Sequence, residues 1–206
     1  MLNVPQTLQQ AMGLHQQGKF EAAGQLYLQI LQHDSKHSDA HNLLGAVYVV
    51  AKNYKLAEKH LLKATKFAPA YAPGHYNLGK CYLDQSKKQL AFGAFTKAVK
   101  LQPDYVDALF LRANVLVQMG IMTDAQLGYE KVLQLAPGNY EAHNNLGSVL
   151  QDLGNIEEAL PHHQKAIDLK PDFELAYLNL ASGLVQLERH QQALTVFNTC
   201  LKYCSS

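Results

Sequence analysis

Four prolines, Pro69, Pro103, Pro137 and Pro171, each follow an apolar, helix-forming run, and they recur every 34 residues. Proline has no amide hydrogen for a helix interior and pushes the residue before it out of helical geometry. A helix therefore ends near each of them, on a fixed beat. A period of this length marks a stack of small repeated units rather than a domain of irregular elements. Aligned on the prolines, the chain divides into blocks 38–71, 72–105, 106–139, 140–173 and 174–206, and Ser35, in the place of a proline, defines a first block at 4–37. The six blocks read as one array over 1–206, with no linker or low-complexity segment between them.

Each block reads as two helices. The first half carries His41-x-x-Leu44-Gly45-x-x-Tyr48, His75-x-x-Leu78-Gly79-x-x-Tyr82 and His143-x-x-Leu146-Gly147-x-x-Leu150. Steps of three and four mark one face of a helix. The second half repeats Ala23, Ala57, Ala91, Ala125, Ala159 and Ala193 in register, and four residues later come Tyr27, Leu61, Phe95, Tyr129, His163 and Phe197. A small residue lets two helices approach, and the large one a turn later fills the gap beside it. Between the halves, Gly18, Gly120 and Gly154 suit a left-handed helix end. One such pair cannot bury its apolar stripe alone, so the pairs must stack.

This pattern resembles the tetratricopeptide repeat, with its 34-residue period and its W-x-x-L-G-x-x-Y, A-x-x-x-F, P signature. No block has the tryptophan. Arg112-Ala113 replaces Leu-Gly in the fourth block and Leu180-Ala181 in the sixth. The resemblance implies an all-α solenoid of six helix-turn-helix repeats in a right-handed superhelix, whose first helices line a concave groove at positions 2, 5, 6, 9, 12 and 13 of each block. In this chain those positions bring forward Asn42, Tyr76, Asn77, Lys80, Phe110, Asn114, Asn144, Asn145, Ser148 and Asn179 as candidate peptide-binding residues. Asparagine is a mediocre helix former, so its recurrence within helices asks for a use. Its amide both donates to and accepts from a peptide backbone.

Catalytic chemistry is not legible. The ten histidines show no zinc-type ligand spacing, so no metal site is expected. His41, His75 and His143 stand at the tryptophan position and read as packing residues, while His162 and His163 are adjacent on a helix and face different ways. No GxSxG or GxGxxG occurs. The expectation is a chain that is not an enzyme and has no cofactor. No run of 18 apolar residues is present, so membrane insertion is not expected. The start MLNVPQTLQQ lacks a secretory pattern, and three cysteines suit a reducing, cytoplasmic setting.

With a net charge of +1, no global field draws the chain to nucleic acid. The charge is unevenly spread: residues 38–105 carry ten lysines against four acids, and residues 106–173 four basic residues against nine acids. Block six keeps Leu194, Phe197, Leu201 and Tyr203 where stacking would need a covering neighbour, which points to an exposed apolar face, to be covered by further sequence or, through self-association of this repeat, by another subunit. The partner expected in the groove is a protein or an extended peptide. The carboxylate clamp of co-chaperone tetratricopeptide domains does not fit, because Phe110 stands in place of its lysine and Leu175 in place of a basic residue. The segments LKPDFELAYLNLASGLV and AHNNLGSVLQDLGNIEEAL, with the asparagine row, resemble the repeat region of O-linked N-acetylglucosamine transferases and their bacterial relatives. Two readings follow: a protein-interaction scaffold, or alternatively the substrate-recruiting arm of a larger glycosyl-, sulfo- or methyltransferase whose catalytic domain would lie after Ser206.

Overall fold

The structure is a computed structural model and describes residues 2–204. Met1, Ser205 and Ser206, at the limits of the expected array, lie outside the described residues. Among the described residues there are twelve helices in six antiparallel pairs: α1 (Val4–Gln16) with α2 (Phe20–His33), α3 (Ser38–Val50) with α4 (Tyr54–Phe67), α5 (Ala72–Asp84) with α6 (Lys88–Leu101), α7 (Val106–Gln118) with α8 (Met122–Leu135), α9 (Tyr140–Asp152) with α10 (Ile156–Leu169), and α11 (Glu174–Gln186) with α12 (His190–Cys204). The expected all-α fold of helix-turn-helix units is what forms. Among the described residues no helix is long and apolar enough to cross a membrane.

The chain divides into two compact units, Met1–Ala108 and Leu109–Ser206. In the first, α1 to α6 pack each on the next, and the first helices α3 and α5 also touch. Its core includes Ala11, Ala23, Tyr27, Ile30, Ala40 and Leu44. In the second, α8 to α12 pack in sequence, α9 touches α11, and Ala176, Tyr177, Leu180, Ala181, Leu184 and Cys200 belong to the core. Here Phe110 of α7 meets the Tyr129 ring of α8 edge-on, with ring centres 5.9 Å apart.

Three periodic devices make each pair. The first is the turn between its helices. Position 15 of every block is left-handed: Gly18, Gly120 and Gly154 at φ of +74°, +77° and +84°, and Lys52, Ser86 and Glu188 at +55°, +58° and +59°. The glycines take this geometry without penalty, whereas a side chain there costs about 1–2 kcal/mol. The second device closes the junction between blocks. Each of the four prolines lies two residues beyond a second helix. The carbonyls of Ser35, Pro69 and Pro137 accept hydrogen bonds from Nε2 of His41, His75 and His143 at 3.0–3.1 Å, and that of Pro171 accepts from the Tyr177 hydroxyl at 3.0 Å. The residues at the tryptophan position are therefore junction donors as well as packing residues.

The third device is a glycine seat. The repeated alanines are all buried, and the large residue one turn later lies directly over the glycine of the first helix. A Cβ added to Gly45, Gly79 or Gly147 would sit 2.6 Å from Leu61, Phe95 or His163 respectively. In the fourth block, where Ala113 takes the glycine's place, Gly128 of the second helix yields instead: a Cβ there would lie 2.9 Å from the Ala113 Cβ. The departure noted in the sequence is thus compensated locally. Arg112 beside it is half-buried, and burial lowers its pKa while Asp124 opposes the shift.

Candidate functional site

The candidate residues fall on first helices, and each unit holds its own cleft. In the first unit, α1, α3 and α5 enclose about 270 Å³, with Leu43, Ala46, Val49 and Val50 as an apolar floor and Asn77 and Lys80 beside it. Asn77 Nδ2 donates to Asn42 Oδ1 at 2.9 Å. The Tyr76 ring packs on Tyr105, ring centres 5.0 Å apart, and carries the Lys80 ammonium 5.7 Å above its centre. Burial, and then the nearby Asp107 carboxylate, raise the Tyr76 pKa, so the phenol stays protonated.

In the second unit, α7, α8 and α9 enclose about 280 Å³ lined by Asn114, Val117, Tyr129, Asn145, Ser148 and Asp152. Asn114 Oδ1 accepts from the Tyr129 hydroxyl at 2.6 Å and from Asn145 Nδ2 at 3.3 Å. Burial pushes the Tyr129 phenol up to about 12. One block on, Asn179 Nδ2 donates to Asn144 Oδ1 at 3.0 Å and to Ser148 Oγ at 3.1 Å, while Ser148 Oγ donates to the Asn144 carbonyl at 3.1 Å.

The ten candidates thus separate by register. Asn77, Asn145 and Asn179, at position 6, share one arrangement: each directs its Nδ2 at an asparagine of the preceding block. Their Oδ1 oxygens, on the other side of each amide, are acceptors. Asn42 and Asn144, at position 5, differ from the expectation of groove-lining residues. They are 2% and 1% exposed, because position 5 lies about 100° around the helix from position 6 and turns toward the neighbouring helices. They hold the position-6 amides from beneath. Phe110 is a packing residue against Tyr129, whereas Lys80 is exposed at its cleft.

A buried group beneath the second cleft was not singled out as part of this network. His163 is fully buried, with Nδ1 3.2 Å from Asn144 Oδ1 and Nε2 3.0 Å from Gln151 Oε1. Gln151 Nε2 in turn donates to the Asn179 carbonyl at 3.3 Å. Burial first, and then the neighbouring His162, push His163 down to about 4. The apolar floor of the first cleft has a signal in the sequence, since Val49 and Val50 occupy positions 12 and 13 of their block. Among the described residues no group of three or more His, Cys, Asp or Glu side chains could hold a metal ion.

Residues 14–76, 76–140 and 140–173 each match a family model described as the tetratricopeptide repeat. The chain is a tetratricopeptide repeat protein. No curated protein matches it significantly. Among solved tetratricopeptide structures, YrrB, described as a TPR protein with an unusual peptide-binding site, is 29% identical with a TM-score of 0.71, covering 82% of this chain and 88% of its own. MamA is 25% identical with a TM-score of 0.72, covering 78% of this chain and 94% of its own. PilF of Pseudomonas aeruginosa, at 19% identity, shows the fold alone, with a TM-score of 0.85 over 97% of this chain and 90% of its own. These matches support the tetratricopeptide family and do not favour the O-linked N-acetylglucosamine transferases within it.

Proposed function

We propose that this chain is a protein-interaction scaffold that holds extended peptide along the first helices of each unit, with Asn77 in the first unit and Asn145 and Asn179 in the second accepting hydrogen bonds from peptide main chain. The observation that carries this reading is the shared state of the three amides. Each is fixed through Nδ2 by its neighbour and keeps Oδ1 as an oriented acceptor, so little conformational freedom is lost on binding. Main-chain recognition accepts many sequences, while Val49 and Val50 offer an apolar side chain a floor in the first unit. The peptide-binding site named for YrrB is consistent with this reading. Binding rather than catalysis is the chemistry such clefts offer, and the free cysteines fit the cytoplasmic setting expected from the sequence.

Each neutral hydrogen bond is worth about 0.5–1.5 kcal/mol, so replacing all three asparagines by alanine should weaken a library-selected peptide that engages Asn145 and Asn179 by at least about fivefold. Isothermal titration measures this, with circular dichroism to confirm unchanged helicity. Undiminished binding by the folded triple variant rules the asparagine row out.

A second contact is supported at the C-terminal helix. Leu194, Phe197, Leu201 and Tyr203 are exposed on α12, Leu201 by 67%, although Phe197 occupies the position at which Phe95 and His163 are fully buried. We propose that a second copy of the chain covers this face. Leu201→Glu should shift sedimentation toward monomer at micromolar concentration; a parent protein that is already monomeric there refutes the contact.

A further inference from the structure

On its other side α9 borders a different cleft. Together with α8 and α10 it encloses about 650 Å³, with Leu133, Leu146, Leu150 and Pro161 as an apolar floor and Glu130, Glu158, His143 and His162 around it. None of these residues lines the asparagine cleft of the same unit.

The hydrogen bonds fix what this lining can offer. His143 Nε2 donates to the Pro137 carbonyl at 3.1 Å, so the Nδ1 of the neutral ring is bare. His162 Nδ1, 3.2 Å from it, must then carry the hydrogen of the N–H···N bond, which leaves His162 Nε2 as an acceptor. Gln126 Nε2 already donates to Glu130 Oε1 at 2.8 Å. Two carboxylates and an imidazole lone pair therefore surround an apolar floor, and Glu130 and Glu158 both act electrostatically on His162.

Periodicity shows that this is not simply what the repeat supplies. The positions of Glu130 and Glu158 are held in the other neighbouring blocks by Leu28 with Leu56, Leu62 with Leu90, Thr96 with Asp124, and Gln164 with Gln192. A His41–His60 pair recurs in the first unit with the same contact, Nδ1 to Nδ1 at 2.9 Å, but its charged neighbours are Lys59 and Lys63. Only the cleft between α8 and α10 pairs two acids; each of the other junctions has at most one, Asp124. Two like charges on one cleft are unfavourable unless a cation joins them.

We propose that this cleft is a second binding site, for an arginine side chain of a partner peptide. The aliphatic stem would lie on Leu133 and Pro161, and the guanidinium would donate to Glu130, Glu158 and His162 Nε2. Arginine matches the site because it joins an apolar stem to a planar head that has only donors. The surrounding blocks, 106–173, carry nine acids against four basic residues, which favours approach of a basic segment.

The probe is a pair of short peptides that differ only in carrying arginine or its neutral analogue citrulline. Titration of full-length protein with 15N-labelled histidine should show a saturable shift at His162 Nε2 with the arginine peptide, and binding about tenfold weaker with citrulline, as expected for losing charge-assisted bonds. Glu130→Gln with Glu158→Gln should reduce arginine-peptide affinity by a similar factor, whereas Glu21→Gln, the same change on α2 in the first unit, should leave it unchanged. The proposal is overturned if both peptides shift His162 equally or not at all. It is overturned equally if the folded double variant keeps the parent's affinity, or if the shift falls on a histidine outside this cleft instead. Because the parent protein alone supports the arginine–citrulline comparison, a misfolded variant does not protect the proposal.

Discussion

Acidification from pH 7 to pH 4 should lower the urea midpoint of this protein steeply. His60 is pushed down to about 4 by burial and then by His41, Lys63 and Lys59, and His163 to about 4 by burial and then by His162. Burial also lowers His41, His143 and His162. In the unfolded chain these rings titrate near the ordinary value of about 6.5. Between that value and 4 the unfolded state binds more protons than the folded one, so stability falls as pH falls. The full stability is present above about pH 6.5, and the loss is complete below about pH 4. The fully buried His163 costs on the order of 3 kcal/mol by then, and the half-buried His60 less because solvent screens it. His60 lies in the first unit and His163 in the second, so both are affected. Two variants follow the repeat's own alternatives: His60→Ala, as at Ala94, and His163→Phe, as at Phe95. Each should flatten the profile by roughly one proton. A midpoint independent of pH from 7 to 4.5 in the parent protein contradicts the assignment.

The glycine seat makes the second large prediction. Gly79→Ala places a Cβ 2.6 Å from Cε1 and 2.7 Å from Cδ1 of Phe95, a ring that is fully buried and has no room to withdraw. Overpacking of this kind costs about 1–3 kcal/mol. The same change at Gly93, also within a helix, meets nothing within 4 Å and should stabilise by about 1 kcal/mol through helix propensity. Opposite signs for one chemical substitution, measured by thermal melting on both variants, are the expected result. Destabilisation by both, or by neither, would show that the seat is not the determinant.

The helical pairs were legible in the sequence because their signals repeat in register: the alanines, the prolines and the glycine seats recur at fixed offsets, and each copy supports the others. Site details were less legible, since they depend on single steps around a helix. Asn144 and Asn145 are neighbours in sequence and identical in chemistry, yet one is buried and the other borders a cleft. Composition at a position does not separate them; the closeness of the next first helix does. The histidine pairs were hidden for another reason. His41 and His60, like His143 and His162, are 19 residues apart on different helices, and only the hairpin brings their rings together. The pairing of Glu130 with Glu158 likewise emerges only when second helices of successive blocks border one cleft.

Asn145 and Asn179 sit on successive first helices, α9 and α11, and packed helices stand about 8–10 Å apart. An extended strand advances about 3.3 Å per residue and turns its side chains over at every step. Amides at that pitch would meet every third residue of a strand, on alternating sides. A polyproline II segment advances about 3.1 Å per residue with three residues per turn, so it presents the same edge every 9 Å or so. A ligand that engages Asn145 and Asn179 in the same way therefore has a left-handed threefold twist. Its recognition then tolerates prolines at two residues of every three and forbids them at the third, where an N–H must reach the asparagine oxygen.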